Sequence, residues 1–282
     1  MTVHMRSVQT NNATPAGRVL FQSGPGRPER EWFVYRATTA GAGAPILVII
    51  HGIASNPAEY AFRMVEAAER RGLVVVAPLF AKGAYGQYQQ VVDPRSGVRA
   101  DLALLDIVAA VAKATGANAK TFHLFGVSGG AQFVHRFTML HPERVAAAGL
   151  AAAGWYTLPD PDAAWPLGQA THPVEAGEFD PAYLDVPYHL FVGERDIERD
   201  GSLRQSEALD LTQGMNRLER ARTWVSAMTS AGAKATLTLL PETGHFLGRA
   251  FERRGLAELI LNQIGLAATS PQAAHDHVQE TN

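Results

Sequence analysis

Alternating strand-like and helix-like segments predict an α/β fold whose mostly parallel sheet has about eight strands and helices on both faces. Three observations carry that expectation. The runs Ala44–Ile50 and Leu73–Ala77 are almost wholly apolar, the pattern of strands buried on both faces. Segments between the strands place apolar residues at helical spacing, as do Leu102, Leu105, Ile107, Val108 and Val111 within Gly97–Thr115. Finally, Gly126-Val127-Ser128-Gly129-Gly130 forms a Gly-x-Ser-x-Gly pentapeptide where a β-rich run meets a helical one.

Each element follows from its own pattern. Arg18–Gln22 and Glu31–Thr38 alternate as two antiparallel strands around a Gly-Pro-Gly-Arg-Pro turn. The strand Ala44–Ile50 stops at His51-Gly52. Pro57 suits the first turn of a helix in which Tyr60, Met64, Val65 and Ala68 recur at helical spacing up to Gly72. Leu73–Ala77 and the amphipathic helix Gly97–Thr115 come next. Thr121–Gly126 leads into the pentapeptide, and Gly129–Leu140 is the helix after it. Val145–Ala153 reads as a strand because it follows a helix ending at His141-Pro142. Pro187–Val192 is a strand, Glu207–Ser230 a long helix, Thr236–Leu240 the last strand and Gly248–Ile264 a closing helix. No repeat or Pro/Ser linker divides the chain, so one domain is expected over 18–266. Flexible stretches are expected at 1–17 and 267–282, and a lid or loop insertion at 155–186.

Composition narrows the function. The chain has 282 residues, 46% hydrophobic and 18% charged, which supports a sizeable core rather than disorder. A formal charge of −2, with no basic stripe interleaved with aromatics, argues against nucleic acid as a partner. The absence of cysteine excludes disulfides, thiolate metal sites and a cysteine nucleophile. The polar start lacks the apolar core of a signal peptide, and no apolar run approaches the ~18 residues of a membrane span. A soluble cytoplasmic protein is the expectation, unless a signal has been trimmed. Oligomeric state is not readable, since no heptad or isolated apolar face stands out.

The pentapeptide alone is a weak signal, arising by accident in roughly one chain of this length in ten. Its setting makes it a nucleophile elbow, a sharp strand-to-helix turn that exposes the Ser128 hydroxyl above the sheet edge. Open α/β sheets place their sites beyond the carboxyl ends of the strands. There the sequence sets His51-Gly52-Ile53, then Ser128, then Gly193-Glu194-Arg195-Asp196, then Glu242-Thr243-Gly244-His245. A nucleophile, a carboxylate and an imidazole thus fall on one rim in the order Ser, Asp, His.

From Arg18 to Ile264 the chain resembles the α/β-hydrolase superfamily, on the strength of the pentapeptide, His51-Gly52, Gly193-x-x-Asp196 and Gly244-His245. The segment Ser-Gly-Gly-Ala-Gln-Phe, with His-Pro-Glu-Arg-Val after it, is similar to the esterase and polyester (polyhydroxyalkanoate) depolymerase branch. The resemblance implies Ser128 as nucleophile, His245 as general base and Asp196 as the carboxylate that orients it. It implies the N–H groups of Ile53 and Gly129 as the oxyanion hole and His51 as a structural pin for that loop, with Gly52 letting it turn. It implies no cofactor. Glu194 and Glu198 stand close enough in sequence to replace Asp196. A serine at the elbow selects acyl transfer to water, where a cysteine or aspartate there serves other chemistries on this fold.

Several side chains have an ordinary reading as well. Trp155 and Tyr156 land on the same rim, either as aromatics covering the sheet edge or as walls of an acyl pocket near Trp165. Phe246, beside the base, reads as packing, although its place also makes it a pocket candidate with His51, Gly52, Trp155 and Tyr156. Arg217, Arg220 and Arg222 read as a solvated helix face. His123, His135 and His141, and the pair His275 and His277, match no metal-ligand pattern, so no metal is expected. The thirty-odd residues after Trp155 are too few for a helical cap domain, which implies an open cleft for short esters or polymer chains. Three function classes remain: a carboxylic-ester hydrolase on small or polymeric esters, an amide-bond hydrolase with the same triad, and a catalytically silent binding protein.

Overall fold

The computed structural model describes residues 14–175, 177–253 and 255–268. Its eight strands form one sheet in the order β1-β2-β4-β3-β5-β6-β7-β8. They are β1 (Val19–Gly24), β2 (Arg30–Arg36), β3 (Ile46–Ile50), β4 (Val74–Pro78), β5 (Phe122–Val127), β6 (Val145–Ala151), β7 (Tyr188–Gly193) and β8 (Ala235–Leu240). The pairs β1–β2 and β2–β4 are antiparallel, and every pair from β4 to β8 is parallel. All residues of β3 and β4 are buried. Successive side chains of a strand point to opposite faces, so helices and loops cover both faces of the sheet centre.

Register aligns the carboxyl ends of the parallel strands. Ile50 pairs with Gly126, Gly126 with Leu150, Ala151 with Phe191 and Gly193 with Leu240. The chain therefore leaves β3, β5, β6, β7 and β8 along one edge, and the loops that carry chemistry meet there. The helices are α1 (Pro57–Arg63), α2 (Val65–Glu69), α3 (Ala100–Thr115), α4 (Gly129–Leu140), α5 (Glu207–Thr212), α6 (Arg217–Ser230), α7 (Gly248–Arg253) and α8 (Leu256–Gln263). Among the described residues no helix is long and apolar enough to cross a membrane.

Where sequence periodicity suggested three unbroken helices, the chain breaks each one. Met64 separates α1 from α2 with ψ near −8°. Gly214, at φ +117°, ends the α5 region before Asn216 caps α6, its side chain accepting from the Glu219 N–H. Gly255, at φ +59°, separates α7 from α8. The buried face of α3 also differs in phase from the expectation. Ala103, Leu104, Ile107, Val108 and Val111 are buried, while Leu102 is 41% exposed and Leu105 half-buried. At the N-terminal side, Thr14 is buried and its N–H donates to Ala114 O at 3.1 Å, so packing reaches back before Arg18.

This phase is testable. Leu104→Ala should cost about 2–5 kcal/mol through the cavity it leaves, whereas Leu102→Ala should cost less than about 1 kcal/mol. Urea denaturation of the two variants reads the difference, and equal losses would shift the helix back to the phase that periodicity suggests.

Candidate active site

Between β5 and α4 a single residue makes the turn. Ser128 has φ +54° and ψ −112°, a conformation that side chains rarely adopt. Close packing imposes it. A Cβ at Gly126 would lie 2.3 Å from Gly130 O, and one at Gly130 would lie 2.1 Å from Ile50 O, so the first turn of α4 presses directly on the end of β3. The Ser128 N–H donates to Ala151 O at 2.8 Å, tying the turn to β6, and its carbonyl accepts from the Gln132 N–H. The side chain, half-exposed, faces a cleft of 1110 Å³.

The loop after β3 runs beside this turn. His51 is buried, its Nε2 accepting from the Phe80 N–H at 3.0 Å and its Nδ1 donating to Gly52 O at 2.7 Å. One donor and one acceptor are what a neutral imidazole offers, and burial lowers the His51 pKa from its ordinary value in keeping with that. The Tyr88 hydroxyl donates to His51 O at 2.8 Å. A Cβ on Gly129 would stand 3.6 Å from the Ile53 N and 2.9 Å from the Tyr88 hydroxyl, so the backbones of Ile53 and Gly129 are neighbours beside Ser128. The Gly129 N–H opens α4 and belongs to the set that a helix leaves without intrahelical partners.

Two further loops are stitched together across β7 and β8. The Arg195 N–H donates to Thr243 O at 2.9 Å and the Glu194 N–H to Leu240 O at 3.1 Å. The stitching brings His245 Nδ1 to 3.1 Å from Asp196 Oδ2. Asp196 is buried, while Glu194 and Glu198 are exposed, and the imidazole contacts neither of those two. Ser128 and His245 line the same cleft together with Gly52 and Ile53. Among the described residues the Ser128 hydroxyl makes no hydrogen bond. Such bonds commonly close only when substrate is present.

The other oxygen of Asp196 meets a residue that charge patterning assigned to solvent. Arg217, 1% exposed, places NH1 3.3 Å from Asp196 Oδ1, and its NH2 donates to Ser202 Oγ at 2.6 Å. Arg220 is also buried, with its guanidinium donating to Gly214 O, Gly154 O, Arg204 O and Asp210. Only Arg222 of the three is exposed. A signal for this existed in the sequence. Positions 217, 220, 221, 224 and 228 share one helical face, and Ala221, Trp224 and Met228 mark that face as the buried one.

The aromatic candidates divide. Trp155 and Tyr156 lie in the core and outside the cleft lining, which corrects their reading as pocket walls. Trp155 packs against the guanidiniums of Arg136 and Arg204, 4.0 and 4.9 Å from its ring centroid, and Tyr156 stacks on Trp224. His51 is likewise beneath the cleft, not in it. Phe246 is 91% exposed on the cleft lip, so packing does not explain it. No described residue of 155–186 lines the cleft. The histidines weighed as ligands have other surroundings. His135 accepts from the Thr157 N–H and donates to Ala131 O, His141 contacts Asp101, and His123 lies on β5. His275 and His277 fall outside the described residues.

A mostly parallel eight-stranded sheet with a serine at the strand-to-helix turn is the α/β-hydrolase fold. Solved structures agree. The poly(aspartic acid) hydrolase-1 of Sphingomonas sp. KT-1 matches with a TM-score of 0.75 and 24% identity, over 87% of this chain and 99% of that one. A poly(3-hydroxybutyrate) depolymerase of Bordetella parapertussis matches at 0.74 and 24%, over 92% and 94%. An S-formylglutathione hydrolase of Agrobacterium tumefaciens matches at 0.58 and 16%, over 88% and 95%. No protein-family model and no curated protein sequence matches the chain.

The crowding at the turn predicts an unusual sign for one substitution. Gly→Ala inside a helix ordinarily gains about 1 kcal/mol. Gly130→Ala should instead lose more than about 4 kcal/mol or fail to fold, because its methyl would meet a backbone oxygen that cannot move aside. A denaturation midpoint equal to that of the native protein would refute the close approach.

Proposed function

We propose that the protein is a serine hydrolase that cleaves carboxylic esters through an acyl-enzyme on Ser128. The observation that carries the proposal is the His245–Asp196 contact, made at the edge of a cleft that Ser128 also lines. In this reading Ser128 Oγ attacks the ester carbonyl carbon while His245 takes its proton. Asp196 holds the imidazole in the tautomer with its proton on Nδ1 and stabilises the imidazolium that forms. The N–H groups of Ile53 and Gly129 receive the oxyanion. Collapse expels the alcohol, which takes the proton back from His245. Water, deprotonated by the same imidazole, then attacks the acyl-enzyme and releases the carboxylic acid.

The substrate proposed is a small ester or a segment of an oligo- or polyester. The 1110 Å³ cleft exceeds what one short acyl chain fills, typical small-molecule pockets being about 300–1,000 Å³. Ile53, 60% exposed, and Phe246 give its lip apolar character suited to such chains. The likeness to a depolymerase points the same way. A second reading, hydrolysis of amide bonds by the same groups, is favoured by the likeness to a hydrolase of poly(aspartic acid), whose units are joined by amides.

Turnover of a matched short-acyl aryl ester and aryl amide tests both readings. Ester cleavage that vanishes in Ser128→Ala is expected, and cleavage of the amide as well would favour the second reading. Silence on both, with no labelling of Ser128 by an organophosphonate ester, would refute the hydrolase proposal. Ser128→Ala and His245→Ala should each abolish turnover, and the double variant should be no worse than either. Asp196→Asn should lower kcat by on the order of 10⁴-fold, far more than Glu194→Gln or Glu198→Gln. The reverse ranking would move the acid to one of the glutamates.

A further inference from the structure

A serine, an imidazole and a carboxylate leave one buried charge at this site unexplained. We propose that Arg217 is a positioning residue of the active site. It holds the Asp196 carboxylate from the side opposite His245 and ties it to the cleft wall at Ser202. The proposal rests on the hydrolase reading above.

The geometry divides the carboxylate between two partners. Oδ2 meets His245 Nδ1 at 3.1 Å and Oδ1 meets Arg217 NH1 at 3.3 Å. The same guanidinium reaches Asp200, with NH2 at 3.3 Å from Oδ1 and NH1 at 3.5 Å from Oδ2, and donates to Ser202 Oγ. The Ser202 hydroxyl in turn donates to Asp200 Oδ1 at 2.6 Å, and Ser202 lines the cleft. One planar fork therefore spans the triad acid, a partly exposed carboxylate and the wall of the substrate cleft. A lysine ammonium has no such fork.

Folding stability gives a poor reason for this arrangement. Arg217 is the first residue of α6, where the helix dipole disfavours a cation, and its burial adds a desolvation cost. Apolar residues in place of a buried ion pair are often neutral or stabilising. Its Nε has no hydrogen-bond partner, so the group is not even fully satisfied. What the cation does supply is orientation and charge. It fixes the plane of the carboxylate, and it offsets part of the pull that Asp196 exerts on the imidazolium. Among the described residues the charged or titratable groups around this point are His245 from the loop after β8, Arg217 from α6, Asp200 from the loop after β7, the Tyr156 phenol from the loop after β6, and Arg220 of α6, whose charge repels that of Arg217. Arg220, one turn along α6, is committed to Asp210.

Opposite shifts in a pH profile distinguish this role from structural support. Removing the cation favours the imidazolium, so Arg217→Met should move the acid limb of kcat/KM on the aryl ester to higher pH. Removing the anion on the far side of the cation disfavours the imidazolium, so Asp200→Asn should move that limb to lower pH. Arg217→Met should also lower kcat by roughly tenfold to a hundredfold, short of the ~10⁴ lost when a triad carboxylate is neutralised, with KM little changed. Arg217→Lys should recover the pH profile but only part of kcat. Circular dichroism and a denaturation curve establish the folded fraction of each variant. Acid limbs that coincide with that of the native protein, or losses that merely follow the folded fraction, would overturn the proposal. If Arg217→Met does not fold, an unmoved limb in Asp200→Asn, whose side chain is 40% exposed, overturns it alone. Failure of the organophosphonate to label Ser128 in the native protein is a separate result: it refutes the hydrolase reading and removes the Arg217 proposal with it.

Discussion

The contact on which this molecule turns is the seating of α4 against the carboxyl end of β3, where Gly130 leaves no room for a methyl beside Ile50 O. From that approach the rest of the elbow follows. The chain can pass from β5 into α4 in one residue only by reversing sharply, so Ser128 takes a positive φ and its side chain leaves the core. The same approach sets the backbone of Gly129 beside Ile53. Beneath them, His51, Tyr88, Phe80 and Phe133 form an aromatic layer with contacting ring centroids 5.1 to 6.5 Å apart. That layer carries the directional bonds of His51 and Tyr88 to the loop above, so packing and hydrogen bonding support the turn together.

The opposite half of the site is built on a different principle. Around β7, β8 and α6 the loops that reach the cleft are fixed by ions and backbone carbonyls, while Trp224 of α6 packs deeper, its ring on those of Tyr156 and Tyr188. Arg217 and Arg220 each bring several oxygens to one buried fork, and Arg136 lies buried against Trp155 with Thr157 and Gln89 O as partners. Burial, reinforced by the neighbouring Arg204 charge, lowers the Arg136 pKa to about 9. A buried cation demands partners at set distances and angles, whereas an apolar contact tolerates sliding. The loop holding Asp196 is thereby restrained in direction as well as in place.

What was legible in the sequence was what local chemistry determines. Ala44–Ile50 and Leu73–Ala77 are apolar throughout because their strands are covered on both faces, and the pentapeptide marks a turn that only glycines permit. The breaks at Gly214 and Gly255 were not legible, since one residue with positive φ does not disturb hydrophobic periodicity. The resemblance pointed to Asp196 but left Glu194 and Glu198 open, because which carboxylate meets His245 depends on where a loop from β8 places that imidazole. Arg217 and Arg220 misled for a related reason. Charge spacing on a helix describes solvated faces well, and these two are buried by carboxylates and carbonyls distant in sequence. Trp155 and Tyr156 stand at the right rim yet turn inward, a side-chain direction that strand order alone does not specify.

Among the described residues five non-glycine residues have positive φ, and three of them, Ser128, Ala152 and Glu242, directly follow the ends of β5, β6 and β8 or lie within two residues of them. At Ser128 this conformation costs on the order of 1–3 kcal/mol that a glycine would not incur. A variant with glycine at 128, inert under the proposed mechanism, is therefore expected to be the more stable molecule. Folding alone offers no reason for a side chain at that point, and a chain selected only for its durability would discard the hydroxyl first.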